Sequence, residues 1–545
     1  MVSFFINKMP VVVAEIDIPM RDGINLKATL LIKDDSEPHY VLLQRTPYAR
    51  ETSIYFINAL ELAYNGWAVV IQSVRGREGS EGEFSPFIQE TSDGLDTINW
   101  ISKQLWCNGK IAMSGASYVG FTQWCCAYSR TKALGAINPQ ITASNILDEW
   151  FYENGAFRNS FAQSWATGFA HTNTYSTRQA NKAIKYAKAL EKIYSYPKEH
   201  SPVRKIFPPF SDWANKENRL FWDKIPKLTK LNIPQINTIH LTGWYDIFCE
   251  GALKDFSFIN NDTDNNKTHR MIIGPWCHNT LLNNKVGEIN FGYEADGFTS
   301  KIMNEIHHWL LNSLKGLPVK GGAKVFIMGE NKWEEYISWP PTITNIKKLY
   351  LNRDRVNNID HIQTLTEEYP TSLCISHLET YNSLLPVHKG GRILDPTSHA
   401  GPYNHFGVLG KTTAETIFIS KVLEKLLKVV GELELKIYLY PIKSTIDLSV
   451  TVLDVHPDGS VFNVLNSTHR IEPVKENKQE YLLTLGNIAY LFRVGHKIAL
   501  RITTSNHPHL DKLDYKLSGI ENVSLMFGEK YDSHLKLPCQ TMSAN

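Results

Sequence analysis

Short, nearly unbroken apolar runs alternate with helix-like stretches along the first half of the chain. Tyr40 to Gln44, Trp67 to Gln72, Lys110 to Ser114, Ile236 to Thr242 and Arg270 to Gly274 have the length and apolar content of strands covered on both faces. Each runs into turn residues or a helical pattern, as Val119 to Tyr128 follows the third. This rhythm predicts a doubly wound α/β sheet with crossover helices. From about Asn145 to Ile233 the texture changes to aromatic-rich helical segments, among them Asn181 to Ile193 and Asn218 to Ile225, broken at Pro208-Pro209. The expectation is a helical cap inserted into the sheet domain.

Beyond a helical stretch ending near Lys315-Gly316 the pattern has period two. In Glu432 to Tyr440, Leu433, Leu435, Ile437 and Leu439 alternate with polar or amphipathic side chains, which describes a strand with one buried face. Pro457-Asp458-Gly459-Ser460 separates Leu448 to Val455 from the next apolar run, and His496 to Thr503 alternates again. A β jelly roll of about 200 residues fits. Lys421 to Val430 reads either way, because Val422, Leu423, Leu426 and Leu427 suit a helical face while its neighbours are strands. The predicted division is an α/β domain over residues 1–144 and 234–340, a cap over 145–233 and a jelly-roll sandwich over 341–545. No internal repeat or low-complexity tract interrupts it.

Composition narrows the class without naming a function. The 545 residues are 43% hydrophobic and 21% charged, enough for sizeable cores. The 57 basic and 55 acidic residues leave a net charge of +2, and no Lys/Arg run makes a phosphate-binding stripe, so nucleic acid is not an expected partner. No apolar stretch reaches the ~18 to 20 residues that span a bilayer. The opening MVSFFINKMPVVVAEIDIPM is broken by Lys8-Met9-Pro10 and lacks a small-residue cleavage site. A cytoplasmic protein without membrane partners is expected, and a homodimer is left open. The seven cysteines form no C-x-x-C pair, which suits reduced thiols better than a disulfide framework or a zinc site.

The sharpest chemical signal is Met113-Ser114-Gly115-Ala116-Ser117-Tyr118-Val119-Gly120, between a predicted strand and a predicted helix. A nucleophilic Ser on such a turn needs small flanking residues, so that its hydroxyl stands above the sheet. The spacing here is G-x-S-x-x-G; a Gly/Ser turn without catalytic duty reads the same way, so its partners decide. They occur in the required chain order, an acid and then a His: Asp246 in Gly243-Trp244-Tyr245-Asp246 and His278 in Gly274-Pro275-Trp276-Cys277-His278. Each follows a predicted strand at the carboxyl edge of the sheet. Either alone reads equally as a helix cap or a structural imidazole.

These segments, with Gln72 to Phe84 (QSVRGREGSEGEF), Asp447 to Ser460 (DLSVTVLDVHPDGS) and Thr503 to Lys512 (TTSNHPHLDK), resemble the superfamily of X-prolyl dipeptidyl peptidases, cocaine esterases and α-amino-acid ester hydrolases over nearly the whole chain. The resemblance implies an α/β-hydrolase fold with Ser117 as acylated nucleophile, His278 as general base then acid, and Asp246 orienting the imidazole. It implies an oxyanion site made by the Tyr48 hydroxyl and the Tyr118 backbone N–H. No cofactor or metal is called for, and the partner is a small-molecule ester or amide. A serine esterase or amidase leads. An X-Pro dipeptidyl peptidase and an acyltransferase are same-fold alternatives, and a vestigial hydrolase serving as a binding protein is the non-enzymatic one.

Several conspicuous residues read as scaffold. Arg75 and Glu81 suit a charged pair tying down the loop Val74 to Phe84, where Ser73 stands in place of the family's usual Asp. His307-His308 should face different sides of a helix and lacks metal-pair spacing. Cys277 and Cys125-Cys126 sit in no elbow. After Asp246 the chain continues Ile247, Phe248, Cys249, where α-amino-acid ester hydrolases carry carboxylates for the substrate ammonium, and Glu250 should point elsewhere. Of the cap aromatics Trp150, Phe151, Tyr152, Phe157 and Trp165, most should be core and some should overhang the site. Asp148, Glu149 and Glu153 are the acids the cap could supply.

Overall fold

The computed structural model describes residues 2–6, 9–172, 196–262, 267–353, 362–380, 389–394, 400–407, 409–410, 414–440, 442–473 and 479–541. The predicted apolar runs lie within strands His39–Thr46, Trp67–Ser73, Cys107–Ala116, Asn237–Gly243 and His269–Gly274. With Leu134–Gln140 and Gly322–Ile327 these make a parallel array, extended by antiparallel strands at both edges into an 11-stranded sheet. Alternate side chains serve two layers. Leu42, Val69 and Ala112 join a core with helices Ala59–Tyr64, Cys249–Asn260 and Ile302–Lys315, whereas Val41, Val70 and Met113 join one with Glu90–Ile101 and Tyr118–Tyr128. Burial of the strands on both faces is why their sequences read as unbroken apolar runs.

The cap contains a π-helix, Ile146–Phe151, a short hairpin, the helix Asn159–Thr172 and brief helices at Val203–Ile206, Phe210–Trp213 and Arg219–Trp222. Pro208-Pro209 is the expected break. The helical reading of Asn218 to Ile225 contracts to four residues, and Asn181 to Ile193 lies outside the described residues. A separate core of Phe87, Tyr118, Phe121, Trp150, Phe151, Phe161 and Trp213 seats the cap on the helix Tyr118–Tyr128.

The C-terminal sandwich holds a second 11-stranded sheet, antiparallel except for Ile362–Thr366 beside Glu415–Ser420. The long strand Leu427–Leu439 buries Leu433, Leu435, Ile437 and Leu439 as the alternation requires. The helical option for Lys421 to Val430 is corrected: 421–426 is irregular and the strand begins at Leu427. Pairing with Glu480–Phe492 and His534–Gln540 satisfies its backbone groups in a way that a helical turn would forfeit. The sheet domain and the sandwich share one apolar core in which Trp244, Phe326 and Met328 meet Val429, Leu433 and Tyr490.

Candidate active site

Ser117 joins the strand Cys107–Ala116 to the helix Tyr118–Tyr128 with φ 60° and ψ −125°. A non-glycine residue held there costs on the order of 1–3 kcal/mol, which the surroundings must offset. Ser117 N–H donates to the Gln140 carbonyl at 2.9 Å, and the Ser117 carbonyl accepts from Gly120 and Phe121 at 2.8 and 3.1 Å. Beneath the turn, Gln123 donates to the Gly115 carbonyl and accepts from Asn138 N–H, while Asn138 receives Ser114 and Gln140. The two glycines are sterically required. A Cβ on Gly115 would lie 2.3 Å from Val119 Cγ1, and one on Gly120 would lie 2.4 Å from Thr142 Cγ2.

The acid and the imidazole come from two turns stitched together. Trp244 N–H donates to the Gly274 carbonyl and Tyr245 N–H to the Trp276 carbonyl, both at 2.9 Å. Gly243 is obligatory because a Cβ would lie 2.2 Å from the Trp276 carbonyl oxygen. Asp246, wholly buried, accepts Phe248 N–H on Oδ1 at 2.8 Å and faces His278 Nδ1 with Oδ2 at 2.7 Å. With Nδ1 engaged, the imidazole presents Nε2 to the cavity that His278 and Ser117 both line.

Tyr48 lines the same cavity, with its ring parallel to Phe169 at 6.0 Å. Its oxygen accepts Trp165 Nε1–H at 3.3 Å and interacts with Ser117. Enclosure raises the phenol pKa, opposed by Trp165, Ser117 and the nearby Arg77 charge, so Tyr48 remains a protonated donor at neutral pH. Tyr118 turns its side chain away. The hydroxyl donates to Glu90 and accepts Phe87 N–H, both at 2.8 Å, and Glu90 pairs with buried Arg45 at 2.8 Å. The Tyr118 N–H begins a helix and has no intrahelical acceptor.

Arg77 escaped the sequence reading. Buried between Phe84 and Phe169, its guanidinium donates to the Pro47 carbonyl at 2.9 Å and so fixes the backbone that carries Tyr48. Only its place among glycines could have drawn attention, and Arg75 shares that. Arg75 and Glu81 do hold their loop, but through other partners. Arg75 pairs with Asp93 and Asp22, each at 2.7 Å, and Glu81 accepts Asn25 N–H. Ser73 takes part as well, since its hydroxyl accepts from Arg50, which also reaches the Glu78 carbonyl.

The cavity measures about 620 Å³; beside Tyr48, Ser117 and His278 its wall carries Phe161, Trp165, Phe169, Leu281, Ile141 and Leu394 and the uncharged polar side chains Gln44, Thr52, Ser53, Ser164 and Asn279. Of the five cap aromatics singled out, Trp165 alone is at the wall, and Trp150, Phe151, Tyr152 and Phe157 are core. Among the described lining residues there is no carboxylate. Glu250 is engaged by Arg392 and Asn487 of the sandwich, Glu149 pairs with Lys254 at 2.7 Å, Glu153 accepts Thr468 N–H, and Asp148 is bonded to Asn145.

His307 and His308 both line a second cavity, beside Asn58 and Trp67, where burial lowers His307 to about 4. Burial also raises the Cys277 thiol, and Cys126 to about 12. Among the described residues one group of three side chains has donor atoms close enough for a metal ion, namely Asp454, His456 and His496, and none of them lines the active-site cavity. No described helix is long and apolar enough to cross a membrane.

The model of the X-Pro dipeptidyl-peptidase (S15) family matches residues 22–280, and the model of the C-terminal non-catalytic domain of X-Pro dipeptidyl-peptidase matches residues 320–535. A cocaine esterase from Rhodococcus sp. (strain MB1 Bresler) is 26% identical, over 97% of this chain and 98% of its own. The same fold recurs in an aminopeptidase from a marine sediment archaeon (TM-score 0.77, 20% identity, 97% of this chain and 96% of that one). It recurs also in an α-amino-acid ester hydrolase (TM-score 0.76, 19% identity, 97% of each chain).

Proposed function

The chain belongs to the X-Pro dipeptidyl-peptidase (S15) family, and from that premise we propose that it is a serine esterase with Ser117, His278 and Asp246 as its triad. The observation that carries this reading is the strained Ser117 turn opening into one cavity with an imidazole whose far nitrogen is held by a buried carboxylate. Each residue then has a task. His278 Nε2 takes the Ser117 proton as Oγ bonds to the ester carbonyl carbon, and the carbonyl π electrons move onto its oxygen. Tyr48 O–H and Tyr118 N–H receive that oxyanion, and Asp246 stabilises the imidazolium. Collapse breaks the C–O bond to the leaving alcohol, which takes the proton from His278. Water, deprotonated by the same imidazole, releases the acid and restores Ser117.

The wall argues for the acyl group. A substrate ammonium brought into an apolar cavity needs a carboxylate beside it, because an unpaired buried charge costs several kcal/mol. The acids that could have served are committed elsewhere, and Phe248 packs edge-on against His278 at 5.3 Å. Uncharged apolar or aromatic acyl groups are the favoured substrates.

The test has two stages. A fluorophosphonate should add one adduct at Ser117, and Ser117→Ala should lose both adduct and turnover. Paired esters differing only in an α-amino group should then show kcat/KM higher by about tenfold or more for the blocked or amino-free member. A folded wild type that stays unlabelled would refute the triad, and preference for the ammonium form would refute the acyl assignment.

A further inference from the structure

Asp454 is the penultimate residue of the strand Ile446–Val455, His456 follows that strand, and His496 precedes the strand Lys497–Thr503. Antiparallel pairing sets Asp454 opposite Ile498 and Val455 opposite Lys497, which brings His496 back over His456. The imidazole centroids are 4.3 Å apart, and one donor atom from each of the three side chains lies within 4.8 Å of the others. His496 Nδ1 is 2.9 Å from Asp454 Oδ1 and His456 Nε2 is 3.3 Å from Oδ2. That Nε2 is buried without a hydrogen-bond partner, as the 3.3 Å approach is outside hydrogen-bond alignment. Tyr490, itself buried, donates its hydroxyl to Asp454 Oδ2 at 2.8 Å and fixes the carboxylate.

We propose that Asp454, His456 and His496 form a structural binding site for a divalent transition cation of the zinc class, at the sandwich edge and apart from the esterase centre. Two imidazole nitrogens and one carboxylate oxygen suit zinc or cobalt, whereas magnesium and calcium prefer all-oxygen shells. Four-coordinate zinc with bonds near 2.0–2.1 Å keeps its ligand atoms ~3.3 Å apart, and the two imidazole nitrogens stand 2.9 and 3.3 Å from oxygens of the Asp454 carboxylate. Ligation through His496 Nδ1 leaves that ring's proton on Nε2, so both imidazoles bind neutral and no net proton must leave. Tyr490 supplies the outer hydrogen bond that metal-ligating carboxylates require. Asp454 is 2% exposed against 27% and 12% for the imidazoles, so the anion lies beneath and the two rings flank the entry, with water completing the shell.

The consequence is mechanical. The ion joins the end of one strand, the 456–460 turn and the turn before the next strand, while Tyr490 ties in a third strand. It should raise Tm and leave esterase turnover unchanged.

The experiment uses the full chain without a histidine tag, stripped with chelator, desalted and titrated with zinc and with cobalt. One equivalent per chain should survive desalting, the cobalt complex should show visible d–d absorption, and Tm should rise with metal. His456→Gln and His496→Gln should each weaken binding by at least ~10-fold while keeping the Tm of the metal-free wild type. Absence of stoichiometric binding by the wild type would overturn the proposal. So would undiminished binding by the double His456→Gln/His496→Gln variant.

Discussion

Replacing Tyr48 by Phe isolates one oxygen atom. The ring keeps its parallel contact with Phe169 and its place at the cavity wall, so packing is conserved. The Trp165 N–H loses its acceptor, a 3.3 Å bond on the cavity side, and bonds of that kind contribute about 1 kcal/mol or less. Tm should therefore move by at most a few degrees. In the proposed oxyanion site the catalytic loss should be larger, because there the hydroxyl would meet charge that exists only in the transition state. Removing one such donor costs ~2.7–4 kcal/mol, a fall in kcat of about 10² to 10³ with KM little changed. Steady-state kinetics on a chromogenic aryl ester gives the split between kcat and KM, and differential scanning fluorimetry gives Tm. Inhibition by a boronic acid, which forms a tetrahedral adduct, should weaken by a similar factor. A variant with wild-type kcat would remove Tyr48 from the oxyanion site. One that loses activity only in step with a large drop in Tm would make it a packing residue.

Three other outcomes follow from the same geometry. Ser117→Gly should abolish turnover yet raise stability by about 1 kcal/mol, since glycine tolerates φ 60°; a lowered Tm would mean that the turn is not strained. Arg392→Met, which breaks a partly buried pair with Glu250 and a 2.8 Å bond to the Trp244 carbonyl, should cost about 3 kcal/mol and lower kcat, and an unchanged Tm would contradict it. Stability should fall below about pH 6.5, because His240, at about 3, and His269, His307, His405 and His469, each at about 4, are held neutral by burial while the unfolded chain takes up their protons. Each contributes up to ~1.4 kcal/mol per pH unit between its folded and unfolded values. Asp255 acts oppositely: raised to about 7, it favours the fold at low pH and that share is lost as pH rises through 7. Denaturant melts from pH 4.5 to 8 would expose a flat profile, which this account forbids.

What the sequence made legible depended on how each feature is encoded. Strands covered on both faces leave apolar runs, and the jelly-roll strands leave alternation, so both were readable. The Ser117, Asp246 and His278 segments were readable because chain order and the strand-to-turn context are local. The division of labour within the cap was not, since Trp150 and Trp165 look alike in sequence and only tertiary packing sends one to the core and the other to the cavity. Phe161 and Phe169 reach the wall for the same untraceable reason. The π-helical turn at Ile146–Phe151 has no period to detect. Arg77 needed the third dimension, and so did Asp454, His456 and His496, which a strand pairing joins across forty residues of sequence.

The turn that carries Asp246 is gripped from the C-terminal side: Arg392 holds the Trp244 carbonyl, Tyr245 donates to the Asn463 carbonyl, and Glu250 receives Asn487. Leu394 of the sandwich reaches the cavity itself. A domain that takes no chemical step is thus a part that cannot be exchanged freely. Recombining the front half of this protein with the back half of a relative should succeed only where these partners travel together, and variation accumulating in the sandwich is filtered by what it does to a carboxylate in the other half of the chain.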